Sequence, residues 1–466
     1  MSGAAAHARL VDRCGERMAR CLLTYCIDGA DALMMALLKG APHALAVFTL
    51  LVEGLDGHDD AERRHADRAL DHLFSQGAAR WGCHVKPQGL QAFHRALTRW
   101  RARLQSLPTW EYDALTAWMT HEGTQWVVIP GDDLWPERLG DLAVRSDWAP
   151  PLCLWGIGDR HALAACPSPV AVVGSRGVNE YGRHVAGEIA HEVATQGHTV
   201  VSGGAMGTDA SAHWGALRAV DTVGGGQAGR TIAVFAGGLD HMGPTCNQRL
   251  FDAIRAQHGA LVSEMCPQTV PEARRFLLRN RIIAALCPTV VIAQARRRSG
   301  ALNTAHWAAE LNREVYAVPG NITAPDNAGC NELIRNQQAI LVAGTTVDDL
   351  CHAAHVPHLP KTDPAPDAPV HDDAGAGGMA REQAVLGALE RMDRTGRHAT
   401  PDTLAEALQA DDSAVLSPEQ VHATLGLLEL QGRISTTGGP DRRVHGQVVP
   451  AHDHIHSPRL VRQYRV

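Results

Sequence analysis

One unit recurs between Pro169 and Ala343: a short run of β-formers, a turn of small residues, and then an amphipathic helix. Val170-Ala171-Val172-Val173 runs into Gly174-Ser175-Arg176, and Thr199-Val200-Val201 runs into Ser202-Gly203-Gly204 and Gly207. Thr289-Val290-Val291-Ile292 precedes Ser299-Gly300 and a further helical pattern. Repetition of this unit predicts a parallel sheet flanked by helices. The expected strands are 169–173, 198–202, 231–235, 259–263, 289–293 and 314–318, with a further one at 339–343. Helices are expected between them, at about 180–196, 208–219, 247–256, 271–286, 301–312 and 330–337. Parallel sheets bind ligands outside the carboxyl ends of their strands. All the turns named above fall at such ends.

The rest of the chain is organised around this stretch. Residues 1–108 read as helical, with apolar residues at three- and four-residue spacing in Ala32–Leu38, Ala44–Val52, Ala61–Phe74 and Leu90–Leu104. Residues 109–168 read as a connector anchored by Trp110, Trp118, Trp126, Trp135, Trp148 and Trp155. Clustered tryptophan more often marks core or an interface than a ligand stack. Residues 351–380 turn to Pro, Asp, Ala and Gly, the composition of a flexible linker. Residues 381–450 read as short helices followed by a hairpin, a winged-helix-like pattern. In the tail, 451–466, His452, His454 and His456 form an incidental tract.

Charge and cysteine usage narrow the function classes. The formal charge is −7, which excludes a generally basic nucleic-acid coat. Eleven scattered cysteines without a Cys-x-x-Cys pair predict reduced thiols, and neither a disulfide framework nor a metal module. The N-terminal residues lack a signal-peptide pattern, and Lys39, Pro42 and His43 interrupt the most apolar region. A cytoplasmic chain without a membrane partner is therefore expected. The winged-helix-like region holds 7 Arg against 10 acids, which predicts protein contact over DNA reading. By contrast, Ala273–Arg298 holds seven Arg and no acid, a local basic patch on an acidic protein. A solvated face is the plainer alternative for such a run.

The glycine turns suggest a phosphate ligand. Small residues let backbone N–H groups approach an anion, and helix starts favour it. Arg176 adds a guanidinium suited to bidentate contact. The expected phosphate or DNA contacts are Gly174, Ser175, Arg176, Ser202, Gly203, Gly204, Gly207, Phe276, Arg279, Asn280, Arg281, Ser299, Gly300 and Asn303. Asp209 and His213, four apart on one helix face, are expected to support the site; a capping carboxylate and a hydrogen-bonded core histidine are the alternative reading. Arg279 and Arg281 do not share a helix face, whereas Phe276 lies on that of Arg279. Neither a dinucleotide fingerprint nor a P-loop occurs at these turns. No catalytic constellation, metal site or cofactor is expected.

Taken in order, these segments resemble the DNA-processing protein A family (DprA, also called Smf). The resemblance spans roughly 125–350. It rests on Val172–Arg176, Ser202–Asp209 with His213, Thr231–Asp240, Phe276–Ile283, Arg298–Ala305 and Val315–Gly320. It implies an α/β fold: an extended Rossmann-like parallel sheet over 169–350, between an N-terminal helical domain and a C-terminal winged-helix-like domain. It further implies a non-enzymatic protein of natural transformation that binds single-stranded DNA, forms a homodimer and helps load a RecA-type recombinase. The chain departs from the family pattern at Met206, Leu277 and Gln294, where a basic residue, a Pro and a Glu are frequent. The alternatives are a nucleotide-binding sensor or a phosphoribohydrolase acting on nucleoside monophosphates. The latter is weakened because Arg298–Thr304 lacks the glycines and the placed Glu of such enzymes.

Overall fold

The structure, a computed structural model, describes residues 3–27, 29–144, 149–346 and 350 of one compact unit, Met1–Thr362. In a second unit, Asp363–Val466, it describes 376–395, selected positions between 399 and 428, 434–437 and 443–446. Trp148, Pro418, most of the expected linker and the histidine tail lie outside the described residues.

The first unit is mixed α/β with a mostly parallel sheet and a helical N-terminus. Among the described residues its nine strands are β1 (Trp126–Val128), β2 (Leu154–Gly158), β3 (Val170–Gly174), β4 (Val200–Ser202), β5 (Thr231–Phe235), β6 (Ala260–Ser263), β7 (Thr289–Gln294), β8 (Glu314–Ala317) and β9 (Ile340–Leu341). They lie in the order β1-β2-β6-β5-β4-β3-β7-β8-β9. Pairing is parallel from β6 to β9. It is antiparallel for β1 with β2 and for β2 with β6. The connector therefore supplies two strands of the same sheet. Its strands were not anticipated: β1, Trp126-Val127-Val128, consists of β-formers but is only three residues long, and β2 is interrupted by Gly156 and Gly158.

Alternation of side chains splits the sheet cleanly. Ala171, Val173, Val201, Val290 and Ile292 pack under helices Ala273–Leu286 and Ala301–Glu310. Val170, Val172, Val200, Val291 and Ala293 pack under helices Glu180–Thr195 and Thr208–Val223. Both faces are thus covered, as a parallel sheet requires. The N-terminal helices, from Gly3–Arg13 to Pro87–Gln105, bury Leu22, Leu37, Phe48, Phe93 and Trp100 in a core that continues into Phe235, Phe251 and Leu261. Trp155 is fully buried and donates its indole N–H to the Met119 carbonyl at 2.9 Å, so it serves as core. No single described helix is long and apolar enough to cross a membrane.

In the second unit, helix Ala376–Arg394 and an antiparallel pair, Ile434–Thr437 with Arg443–Gly446, accompany a small core of Val385, Leu389, Leu404, Leu408, Val421, Leu425 and Leu428.

One packing contact sets the spacing of the loops that matter. Helices Glu180–Thr195 and Thr208–Val223 each follow a glycine turn, and they meet at Gly187 and Gly215. A Cβ on Gly215 would lie 2.1 Å from the Gly187 carbonyl oxygen. Backbone cannot yield as a flexible side chain would, so the helices would have to part. Gly215→Ala is expected to destabilise the protein by about 1–3 kcal/mol, as overpacking does, read by urea denaturation. Wild-type stability in that variant would show that the helices separate without penalty.

Candidate nucleic-acid interface

The chain runs from β3 through β4 and β5 to β6 on one side, then returns to β7 and continues to β9 on the other. Strand order therefore reverses between β3 and β7, and a crevice opens outside the carboxyl ends at such a point. Here it is a cleft of about 600 Å³. Gly174, Ser175 and Arg176 form one wall after β3, and Arg296, Arg298, Ser299 and Gly300 form the other after β7. Phe276, Leu277, Arg279 and Asn280 line it from helix Ala273–Leu286.

Two glycine turns stack directly at its base. The Thr208 N–H donates to the Ser175 carbonyl at 3.2 Å, and the Thr208 hydroxyl donates to the same oxygen at 3.1 Å. Gly207 sits at φ 82°, and a Cβ there would lie 2.4 Å from the Arg176 carbonyl oxygen. A Cβ on Gly174 would strike the Thr208 hydroxyl at 2.6 Å and the Gln294 carbonyl oxygen at 2.7 Å. These glycines serve loop-to-loop approach. The Thr208 N–H at that helix start is already committed to protein.

The cations differ sharply in role. Arg176 is exposed, and its guanidinium lies 4.7 Å from the centre of the Phe276 ring. This cation–π contact also walls a smaller apolar pocket of about 200 Å³, lined by Met206, Phe235, His241, Pro244 and Pro271. Arg279 is buried; it donates to the Gly203 carbonyl at 2.8 Å and also to the Val234 carbonyl. Burial, with Arg176 adding to it, lowers its pKa to about 10, so it stays charged at neutral pH. Its guanidinium fills the place a side chain on Gly203 would need, 2.2 Å from such a Cβ.

Several expected contacts are corrected by this geometry. Arg281 is fully buried and ion-paired with Glu264, itself buried, so no phosphate reaches it here. Burial raises the Glu264 pKa while Arg281 opposes the shift. The Ser202 hydroxyl is fully buried and donates to the Val172 carbonyl at 2.7 Å. Gly204 is buried beside Phe235 and Phe251. Gly203 lines the smaller pocket and not the main cleft. Asn303 does not line the cleft; it accepts from Asn280 at 3.3 Å, while Asn280 also donates to the Gly300 carbonyl at 3.2 Å. That pair ties the helix to the turn after β7. The Ser299 hydroxyl oxygen accepts from the Ala301 N–H at 3.3 Å, at the helix start.

Asp209 lines the cleft but is buried, and it accepts from the Ala205 N–H at 3.4 Å. Burial raises its pKa against the opposing charge of Arg279. His213 does not reach the cleft. Its Nδ1 lies 2.7 Å from the Thr231 hydroxyl, which itself donates to the Val200 carbonyl at 3.0 Å. The ring must therefore donate from Nδ1. Burial lowers its pKa to about 3, so it is a neutral core histidine. Among the described residues, no group of three or more His, Cys, Asp or Glu is placed to hold a metal ion.

A profile of the family described as DNA recombination-mediator protein A matches residues 126–355. A DprA-type DNA processing protein of Mycobacterium tuberculosis (strain H37Rv) is 36% identical over 316 residues, covering 66% of this chain and 74% of that protein. The chain belongs to this family. DNA processing protein DprA of Bacillus subtilis (strain 168) is 37% identical over 192 residues, 41% of this chain and 61% of that one. Protein Smf of Escherichia coli (strain K12) is 37% identical over 241 residues, 52% and 60% of the two chains. Among solved structures, DprA from Streptococcus pneumoniae is similar with a TM-score of 0.48 at 26% identity, covering 69% of this chain and 97% of that one. A Helicobacter pylori DNA processing protein A, described for its single-stranded DNA binding mode, has a TM-score of 0.42 at 28% identity, covering 48% and 94%.

Arg296, Arg298 and Leu277 line the cleft without having been among the expected contacts. The signal was present, since all three belong to the acid-free run 273–298. Acids pair with most of that run: Glu272, immediately before it, with Arg274 and Arg275, and, brought by the fold, Asp326 with Arg296 and Glu332 with Arg297. Arg298 is exposed and has no ion pair among the described residues. Met206 and Leu277, two of the departures from the family pattern, are about half exposed at the rims of the two pockets.

Loss of Arg281 would leave Glu264 buried without its counter-charge. Arg281→Met is expected to lower stability by about 3–5 kcal/mol, whereas Arg298→Met should stay within about 0.5 kcal/mol of wild type. Equilibrium urea denaturation of both variants checks this. Equal small losses would refute the buried-pair assignment.

Proposed function

We propose that this chain binds single-stranded DNA in the cleft between β3 and β7, and acts as a recombination mediator without catalysing a reaction. The observation that carries this reading is the Arg176–Phe276 stack at the cleft wall. A sequence-tolerant single-strand site combines fixed cations for the backbone with aromatic faces for unstacked bases. Arg176 and Arg298 offer cations on opposite walls, and half-buried Phe276, with Arg176 over its ring, offers the aromatic surface. A duplex keeps its bases stacked inside and cannot use that ring. Gly174, Ser175, Ser299 and Gly300 bring backbone close to the ligand, and Arg279 holds the floor and its positive potential.

Asp209 is the one carboxylate lining the cleft among the described residues, and it is buried against the Ala205 N–H. That favours binding over hydrolysis of a nucleoside monophosphate. The family description supports a role in recombination. Within that role we assign loading of a RecA-type recombinase during DNA uptake, in the cytoplasm and as a homodimer. The acidic balance of 381–445 favours protein contact for a winged-helix-like second unit.

The test is an affinity series over salt concentration with a labelled oligothymidylate and its duplex counterpart. Wild type is expected to prefer the single strand. Arg176→Ala and Arg298→Ala should each weaken binding and reduce the log–log salt slope by about 0.7, one lost phosphate contact on a single strand. Unchanged affinity and slope in both folded variants would remove the cleft as the DNA site.

A further inference from the structure

β7 ends beneath the cleft at Gln294, a fully buried residue. Its main-chain carbonyl accepts from the Ser175 N–H at 2.8 Å. Its side-chain Oε1 accepts from the Asn179 N–H at 3.0 Å. These two bonds grip both ends of the segment that carries Arg176. The side-chain Nε2 donates twice, to Asn179 Oδ1 and to Asn327 Oδ1, each at 2.9 Å.

The orientation of these amides follows from their other partners. Asn179 Oδ1 also accepts from the Gly182 N–H at 2.9 Å, at the start of the following helix. Asn179 Nδ2 donates to the Asp326 carboxylate at 3.1 Å. Asn327 Nδ2 donates to the Val318 carbonyl at 3.1 Å. Both asparagines must therefore turn their oxygens toward residue 294. That position faces two side-chain acceptors and one backbone donor. An amide supplies two donors and an acceptor, whereas an ionised carboxylate supplies no donor. Gln294 is thus matched to Asn179 and Asn327 of this chain, where the family resemblance leads one to expect Glu.

We infer that Gln294 is the positioning residue of the DNA site: it fixes the Arg176 segment, and its neutral amide keeps a buried negative charge from beneath a phosphate-binding cleft. The inference rests on the single-strand reading given above. An ionised Glu at this place would oppose two amide oxygens and repel phosphate. Burial would raise its pKa, and once protonated it would regain one donor. The defect in Gln294→Glu should therefore be greatest at high pH and recede as pH falls.

The experiment measures oligothymidylate affinity for wild type, Gln294→Glu, Asn179→Ala, Arg176→Ala and Arg298→Ala, with thermal melting to establish folding. At about pH 8, Gln294→Glu is expected to bind about tenfold more weakly than wild type, for the loss of two hydrogen bonds. Relative to wild type, it should recover at least about threefold toward pH 5.5, the range in which a buried carboxylate titrates. Asn179→Ala, at an exposed position, reaches the same clamp from its far end and should weaken binding without added pH dependence. Hydrogen exchange of the Ser175 and Asn179 amides without DNA should be faster in Gln294→Glu at the higher pH. Wild-type affinity in Gln294→Glu or in Asn179→Ala would overturn the inference, as would a Gln294→Glu defect that does not recede with acid. Failure of the single-strand reading shows separately, as equal binding by wild type, Arg176→Ala and Arg298→Ala. The exchange rates then decide on positioning alone, and unchanged rates would overturn it.

Discussion

Strand order reverses between β3 and β7, and no single crossover helix can cover the loops on both sides of that reversal. The crevice left there is a consequence of topology. Every feature of the site is a way of finishing it. Gly174 and Gly207 let two turns stack without side chains between them, and Gly203 makes room for a guanidinium. Asn280 and Asn303 tie the helix on one side to the turn on the other. The approach of these parts depends in turn on Gly187 and Gly215, where the two helices behind the turns touch backbone to backbone.

The arginines show how the fold assigns charge. The seven in the acid-free run look equivalent along the chain, yet Arg274 and Arg275 face the neighbouring Glu272, and Arg281, Arg296 and Arg297 face carboxylates brought from other elements. Arg279 instead satisfies backbone carbonyls and makes no salt bridge among the described residues, with buried Asp209 the carboxylate that acts on its charge. Arg298 on one wall, and Arg176 of the turn opposite, remain open. A chain with a net charge of −7 can thus present a local positive cleft, because Arg176 and Arg298 on its walls are left without an ion pair among the described residues, although Arg296 beside them is paired with Asp326.

Much of this was legible in the amino-acid order. The β-branched runs of β3, β5 and β7 and the glycine turns after β3, β4 and β7 announce a parallel sheet and its ligand edge. Helix phase alone separated Arg279, with Phe276, from Arg281. What it could not give was the partner of Arg281, because Glu264 lies at the end of β6 and only the sheet brings it near. Ser202 read as a phosphate contact for a similar reason: a serine beside two glycines looks open until the parallel partner strand supplies the Val172 carbonyl. β1 and β2 escaped notice because the three residues Trp126-Val127-Val128 are too few to show a period and Gly156 and Gly158 interrupt β2. Their antiparallel pairing to β6 is a tertiary choice.

Amide hydrogen exchange, with and without saturating oligothymidylate, locates the ligand without altering a residue. The cleft reading predicts slowed exchange over 174–179, 273–280 and 296–301, with little change in the N-terminal helices. Slowing confined to those helices or to Ile434–Gly446, with the three cleft segments unchanged, would contradict it.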